Sequence, residues 1–444
     1  MHPTIARHAI YLPVRKALGG NLETAIERQT ALERLPHDRL RAYQEKALKR
    51  LIDHAIKNIP FYRDLGMRRL DVKGGSPLEI IQHFPITSKV RLRSDLRSFI
   101  ADGHKVSWRS TSGSTGFPFR FCKDRLALLH MDAAMHAAYS WHDIQIGDRQ
   151  ARIWGRRLNR KQKFLQDIKD LLLNRRRLSA FEITSESSRF FFAVLDKLRP
   201  AFLYCYPNAA VLFARHLRQM RLNARSLSLK AIICTSEPLL ELHRNILTDV
   251  FACSIINEYG NSENGILGIE CERGNMHVLS GNVILEVRHK DKPAPPGIEG
   301  QIVVTELHSR SIPFIRYQTE DFGSLTTEPC PCGRTFPVIK LSPTRGSSVI
   351  ACPDGRKVHD ALLAYIFHEG VLQFRVVQEA LTSLSVEVVP DHNYSKGLEE
   401  NYRNKLLEYC GAGMNITFKK REAIQPEQSG KVSYFVSRLR ETRN

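Results

Sequence analysis

Apolar residues recur every three or four positions in ALERLPHDRLRAYQEKALKRLIDHAIKNIPFYRDLG, residues 31–66, and this spacing predicts an amphipathic helix ending before Pro60. The same period predicts helices over 124–143 and, more strongly, over 187–198. In PAFLYCYPNAAVLFARHLRQMRL a short apolar run gives way to a helix opening near Pro207. The next segment, LKAIICTSEPLLELHRNILTDVFACSIINEYG, reads as strand, polar turn, helix and strand, the βαβ order of a parallel sheet. Beyond residue 275 short alternating runs (NVILEVRH, GQIVVTEL, PFIRYQTED) predict a β-rich subdomain, with KPAPPGIEG as a turn between two strands. LQFRVVQEA, LSVEVVP, a helix GLEENYRNKLLEYC and NITFKK then predict a small α+β domain. The expected fold class is α/β: a large N-terminal domain, 1–343, with parallel sheets and the β-rich subdomain, and a small mobile C-terminal domain, 344–444.

Composition narrows the function classes. A chain of 444 residues with 42% hydrophobic content buries a sizeable core and suits two or three domains. No apolar run approaches the ~20 residues needed to span a bilayer. The start, MHPTIARHAIYLPVRKALGG, lacks a long apolar stretch followed by a small-residue cleavage site, so a cytoplasmic location is expected. Lysine and arginine number 66 against 46 acids, a formal charge of +20. The densest patch is RIWGRRLNRKQKFLQDIKDLLLNRRRLSAF, 152–181. No zinc-finger, helix-turn-helix or RNA-recognition signature accompanies it, so nucleic acid is not an expected partner. Anionic substrates, acidic partners or a membrane surface account for the charge equally well, and peripheral membrane association and a dimer are both compatible with it. Nine scattered cysteines argue against a disulfide framework and fit a reducing compartment.

Six stretches carry candidate chemistry. In RSTSGSTGFPFRF, 109–121, the run from Thr111 through Ser112, Gly113, Ser114, Thr115 and Gly116 offers hydroxyls, N–H groups and two glycines. Successive N–H groups in such a loop converge on phosphate oxygens, whereas a plain Gly/Ser linker would run longer. Ligands of parallel sheets sit beyond the carboxyl ends of strands. Two polar runs fall there: Thr235-Ser236-Glu237-Pro238, and Asn257-Glu258-Tyr259-Gly260-Asn261-Ser262-Glu263. Each is also readable as an ordinary turn. Arg316 to Asp321 joins a cation to a carboxylate suited to ribose hydroxyls, and EQSGKVSYF places Lys431 behind a glycine in a loop able to deliver an ammonium to an anion. Finally, Cys271-x5-His277 precedes strands that can return Cys330-Pro-Cys332 beside it. Three thiolates and an imidazole form a four-coordinate structural zinc set; the alternative is a solvent-facing turn with an unrelated buried Cys271.

In this order, TSGSTG, Tyr-Gly-Asn-Ser-Glu, Ile-Arg-Tyr-x-Thr-x-Asp and Ser-Gly-Lys, the chain resembles the adenylate-forming enzymes. The resemblance is closest to the phenylacetate–coenzyme A ligase-like branch, which includes members associated with polysaccharide biosynthesis. AIKNIPFYRDL, FPITSKVRLRSDL and PCPCGRTFP are similar to further features of that branch, and the zinc set is one that related enzymes carry. The resemblance implies that Ser112 to Gly116 cradle the β- and γ-phosphates of ATP, and that Ser236, Glu237 and Pro238 border the adenine. It implies that Asn257, Glu258, Tyr259, Gly260, Asn261 and Ser262 line the adenosine and α-phosphate pocket, Glu263 holds Mg²⁺, Asp321 binds the ribose and Arg345 assists at the domain junction. Lys431 then bridges the substrate carboxylate and the α-phosphate. The implied function is ATP-dependent activation of a carboxylic acid as an acyl adenylate, followed by transfer to coenzyme A. The alternatives are transfer to an amine or sugar acceptor and a non-catalytic scaffold of the same fold. The chain departs from the pattern in three places. Phe117 stands where many members have a lysine, leaving Arg120 or Lys123 as substitutes; Glu320 replaces a glycine; and Ser347 and Ser348 replace hinge acids. Tyr204 to Ala210, YCYPNAA, is expected either to border the acid's pocket or to belong to the core.

Overall fold

A computed structural model describes residues 1–17, 20–65, 76–101, 103, 106–111, 119–155, 160–181, 183–290, 292–326, 328–345, 349–367, 369–427 and 431–439. The chain forms two compact units, each assembled from separated segments. The first comprises 1–148, 171–174 and 256–341; the second comprises 149–170, 175–255 and 342–444.

In the first unit, helix His37–Asn58 buries Leu40, Ala47, Leu48, Leu51, Ile52 and Ala55, which recur on one helical face as the sequence pattern requires. The expected single helix from residue 31 is interrupted. Leu22–Leu32 is a separate helix, and Pro36 occupies the N-cap of the next with an extended backbone. The helix ends at Asn58, before Pro60 as expected, and Pro60 opens the short helix Pro60–Asp64 as its first residue, where a missing N–H costs nothing. The expected helix at 124–143 is Arg125–Tyr139, capped by the Asp124 carboxylate on Ala127 N–H at 2.9 Å. Beyond residue 254 the strands order as Lys292–Pro293, Val283–His289, Gly300–Glu306, Tyr317–Thr326, Val338–Arg345, Met276–Val278, Gly265–Glu270 and Ser254–Asn261. Their recorded pairings are antiparallel, and Leu267, Val278, Val283, Ile302 and Val304 fill one face. A two-stranded hairpin, Val106–Ser110 with Arg120–Asp124, stands apart from this sheet.

The second unit carries the predicted parallel sheet, ordered Arg175–Ser179, Gln150–Trp154, Phe202–Cys205 and Ala231–Thr235. Helices Ser185–Leu198, Pro207–Gln219 and Glu241–Phe251 bury Leu195, Phe213, Leu217 and Leu247 in its core. The basic stretch 152–181 proves to contain the end of one strand, helix Arg160–Leu172 and a second strand. The C-terminal elements match their sequence pattern. Strands Asn415–Lys420, Ser383–Pro390, Val371–Ala380 and Phe435–Ser437 form a sheet in that order, with helix Lys396–Cys410 packed through Tyr402 and Leu406. Leu372, Val389, Ile424 and Val432 join the parallel sheet's core. The architecture is mixed α/β, with a small β domain at the C-terminus.

Candidate functional site

Ser112, Gly113, Ser114, Thr115 and Gly116 lie outside the described residues, but the frame that holds them does not. In sequence they fall between the two strands of the hairpin. Thr111 closes its base, donating N–H to the Phe119 carbonyl at 3.0 Å and accepting the Phe119 N–H on Oγ1 at 2.9 Å. Of the two expected substitute cations, Lys123 is withdrawn from that role. Its side chain is fully buried, its ammonium pairs with Glu306, and it lies 4.4 Å from the Phe314 ring centre. Burial pulls the Lys123 ammonium down and pushes the Glu306 carboxyl up, each opposed by its partner's charge. Arg120 is exposed, its guanidinium over the Trp108 ring.

The run 257–263 spans the end of strand Ser254–Asn261 and the turn into Gly265–Glu270. Gly260 is required by packing: a β-carbon there would meet the Gly265 carbonyl oxygen at 2.3 Å. Asn257 donates its N–H to Glu270 at 2.8 Å, and buried Glu258 accepts the Tyr139 hydroxyl at 2.6 Å. The Tyr259 hydroxyl donates to Asp321 at 3.1 Å, bringing two of the expected nucleotide residues together. Asn261 accepts the Asn264 N–H at 2.6 Å, which turns the chain and leaves Ser262 exposed. Glu263 is buried; its Oε1 accepts the Tyr317 hydroxyl at 3.0 Å and lies 3.8 Å from the Lys89 ammonium. Its Oε2 takes no hydrogen bond among the described residues, so one carboxylate oxygen remains to ligate a hard cation. Sequence reasoning missed Lys89 as a neighbour, although FPITSKVRLRSDL contains it and Ser88 caps its helix.

The second unit holds the remaining candidates. Ser236 takes the left-handed backbone (φ 70°) where the chain leaves strand Ala231–Thr235. Next to it, the Glu237 carboxylate gathers three donors: Val432 N–H at 2.7 Å, Asn208 N–H at 3.2 Å and Asn208 Nδ2 at 3.0 Å. Burial pushes the Glu237 carboxyl up, while those donors and the Lys431 charge act against the shift. Pro238 accepts the Tyr434 hydroxyl on its carbonyl at 3.2 Å. Lys431 is thus anchored through its neighbour, and its own carbonyl accepts the Glu427 N–H at 2.8 Å. Glu237, Asn208 and Val432 also line a cavity of about 140 Å³ with Ala209, Leu212 and Ile424. Of the YCYPNAA aromatics, Tyr206 is core and Tyr204 half-buried, both beside Trp154 at centroid distances of 4.3 and 5.3 Å. Arg345 ends strand Val338–Arg345, and its side chain lies outside the described residues.

Cys271, His277, Cys330 and Cys332 place one ligand atom each within 4.8 Å of one another. Nδ1 of His277 lies 2.8 Å from the Phe336 carbonyl, which fixes the proton there and leaves Nε2, 3.2 Å from Cys332 Sγ, as a lone-pair donor. The Cys271 and Cys330 sulfurs stand 3.8 Å apart as free thiols. Asn275 Nδ2 donates to Cys330 Sγ at 3.3 Å, and Arg273 N–H to Cys271 Sγ at 3.4 Å. Three sulfurs, one directed imidazole nitrogen and N–H donors on the sulfurs are the donor chemistry of a structural zinc site.

Residues 350–438 match the CapK C-terminal domain family. The chain is 29% identical over 376 residues to the phenylacetate-coenzyme A ligase of Thermus thermophilus, covering 82% of this chain and 80% of that protein. It is 22% identical over 412 residues to protein CapK of Staphylococcus aureus, covering 89% of each. The fold superposes on 2-hydroxyisobutyryl-CoA ligase in the postadenylation state, in complex with 2-HIB-AMP, with a TM-score of 0.70 over 91% of each chain at 19% identity. With its four motifs in order, the chain is similar along most of its length to adenylate-forming ligases of the phenylacetate–coenzyme A ligase-like branch, and it shares their fold.

Proposed function

We propose that this protein joins ATP and a carboxylic acid into an acyl adenylate with release of pyrophosphate, then passes the acyl group to the thiol of coenzyme A. The observation that carries this reading is the anchoring of the Lys431 segment on Glu237, just beyond the carboxyl end of a parallel strand. An ammonium held there bridges two mutually repelling anions, the attacking carboxylate and the α-phosphate. Ser112 to Gly116 receive the β- and γ-phosphates, and Ser236 to Pro238 border the adenine through their backbone, the Glu237 carboxylate being engaged internally. Asn257 to Ser262 line the adenosine, Asp321 takes the ribose with Tyr259 orienting its carboxylate, and Glu263 offers its remaining oxygen to Mg²⁺. Catalysis is mainly positioning and charge neutralisation. Residues 344–444, with Arg345 at the junction, move as a cap that withdraws Lys431 for the second half-reaction. Structural Zn²⁺ completes the Cys271, His277, Cys330 and Cys332 set.

The test is pyrophosphate release from ATP with a panel of aryl and medium-chain acids. Lys431→Ala should slow it by about 10² or more with an unchanged melting temperature. It should still form thioester from a synthetic acyl adenylate and coenzyme A. Equal rates in wild type and variant would remove Lys431 from the mechanism and leave the scaffold reading. Supplying an amino sugar in place of coenzyme A separates the acceptors.

A further inference from the structure

Helix Arg160–Leu172, RKQKFLQDIKDLL, is turned inside out. At 100° per residue its large apolar positions, 164, 165, 168, 171 and 172, share one stripe about 120° wide. An ordinary surface helix buries such a stripe. Here Phe164 is 65% exposed, Leu165 58%, Ile168 43%, Leu171 68% and Leu172 43%. The opposite, polar face is the one turned inward. Asp170 is only 4% exposed and accepts from Arg177 at 3.1 Å, Gln166 at 2.8 Å and, as an ion pair at 3.6 Å, Arg175. The helix is therefore fastened by a buried carboxylate network and presents its grease outward.

The charges around the stripe identify its occupant. Lys161 sits at the stripe's N-terminal end and Lys169 borders one side, while on the other side Lys163 lies beyond Asp167, all four exposed. Of the helix's two acids, Asp170 is internal, and the chain as a whole carries +20. Lysine is depleted from the cores of protein interfaces, and a two-fold pairing of this helix with itself would set like charges together. At a bilayer surface the same lysine stems extend to the headgroups while the apolar face enters below them. No described helix is long and apolar enough to cross a membrane. We propose that helix Arg160–Leu172 seats this protein on an anionic lipid surface, its apolar stripe entering the headgroup boundary and its lysines meeting lipid phosphates. The proposal is independent of the adenylation reading and fails or stands without it.

Co-sedimentation of the full-length protein with vesicles tests it. Replacing about a third of the phosphatidylcholine by phosphatidylglycerol should raise the bound fraction at least about tenfold, and about 0.5 M salt should reverse much of the gain. Phe164→Glu with Leu171→Glu should abolish binding, and Lys161→Glu with Lys163→Glu should weaken it about tenfold or more. Both double variants should keep the wild-type melting temperature and pyrophosphate release, because all four side chains are exposed. The proposal is overturned if wild type ignores phosphatidylglycerol, or if the lysine variant, which leaves the stripe intact, binds like wild type. It is overturned equally if sedimentation equilibrium shows a dimer that Phe164→Glu dissociates, which would assign the stripe to a second copy.

Discussion

Glu237 serves three donors with one carboxylate, and its removal strands all of them in a buried place. Each unmet buried donor costs about 1–3 kcal/mol, so Glu237→Ala should lower the melting temperature by several degrees. It should also slow pyrophosphate release, because the Val432 N–H that fixes Lys431 loses its acceptor. Glu237→Gln keeps an oxygen and should recover most of both losses; calorimetry and a pyrophosphate assay on the two variants check this. A Glu237→Ala variant with wild-type stability and rate would show that the anchor is dispensable. The sequence displayed Ser236 to Pro238 as a polar run after a strand, but not its partners. Asn208 and Val432 stand 29 and 195 positions from Glu237, and no local pattern reports so distant a hydrogen bond. Lys123 shows the opposite error. Three residues beyond Arg120 it looked available for phosphate, yet strand alternation turns it inward to Glu306.

Among the elements, those with long, regular apolar spacing were legible: the helices at 37–58, 185–198 and 207–219 and strands Phe202–Cys205 and Ala231–Thr235 of the parallel sheet. Three others were hidden by composition. Strand Arg175–Ser179 is mostly arginine, hairpin strand Val106–Ser110 is largely exposed, and Pro36 caps a helix inside a stretch whose apolar period continues across it. The Cys/His set was legible as a spacing because strand pairing does the rest. Val338 pairs with His277, and Cys330 and Cys332 precede it by a short loop. A metal there would staple the 265–278 strands to the segment before strand Val338–Arg345, and its binding energy would be folding energy. Protein purified without chelator should carry about one zinc per chain. Cys332→Ser should lose the metal and melt several degrees lower. Elemental analysis finding no zinc in wild type would leave the four residues as a packed thiol cluster.

For the molecule as a whole, buried neutral histidines set the acid limit of stability. Burial, reinforced by Arg28 and Arg50, brings His130 down to about 4; burial and His130 itself bring its stacked partner His308, 3.6 Å away, to about 3. Burial likewise holds His243 at about 4. Unfolded histidines titrate near 6.5, so below that pH the unfolded chain takes up protons the folded chain refuses. The melting temperature should be level above about pH 7 and fall steadily from about 6.5 towards 4, less steeply in His308→Asn. A melting temperature that holds or rises between pH 7 and 5 would contradict this. The interleaving of the two units has a consequence in time rather than space. Neither unit is complete until residues beyond 340 have left the ribosome, and the second needs the final hundred as well. At about 5–20 residues per second, strands Gln150–Trp154 to Ala231–Thr235 wait on the order of ten seconds or more for Leu372, Val389, Ile424 and Val432. During translation, then, the apolar face of the parallel sheet is the part of this protein that most needs a chaperone.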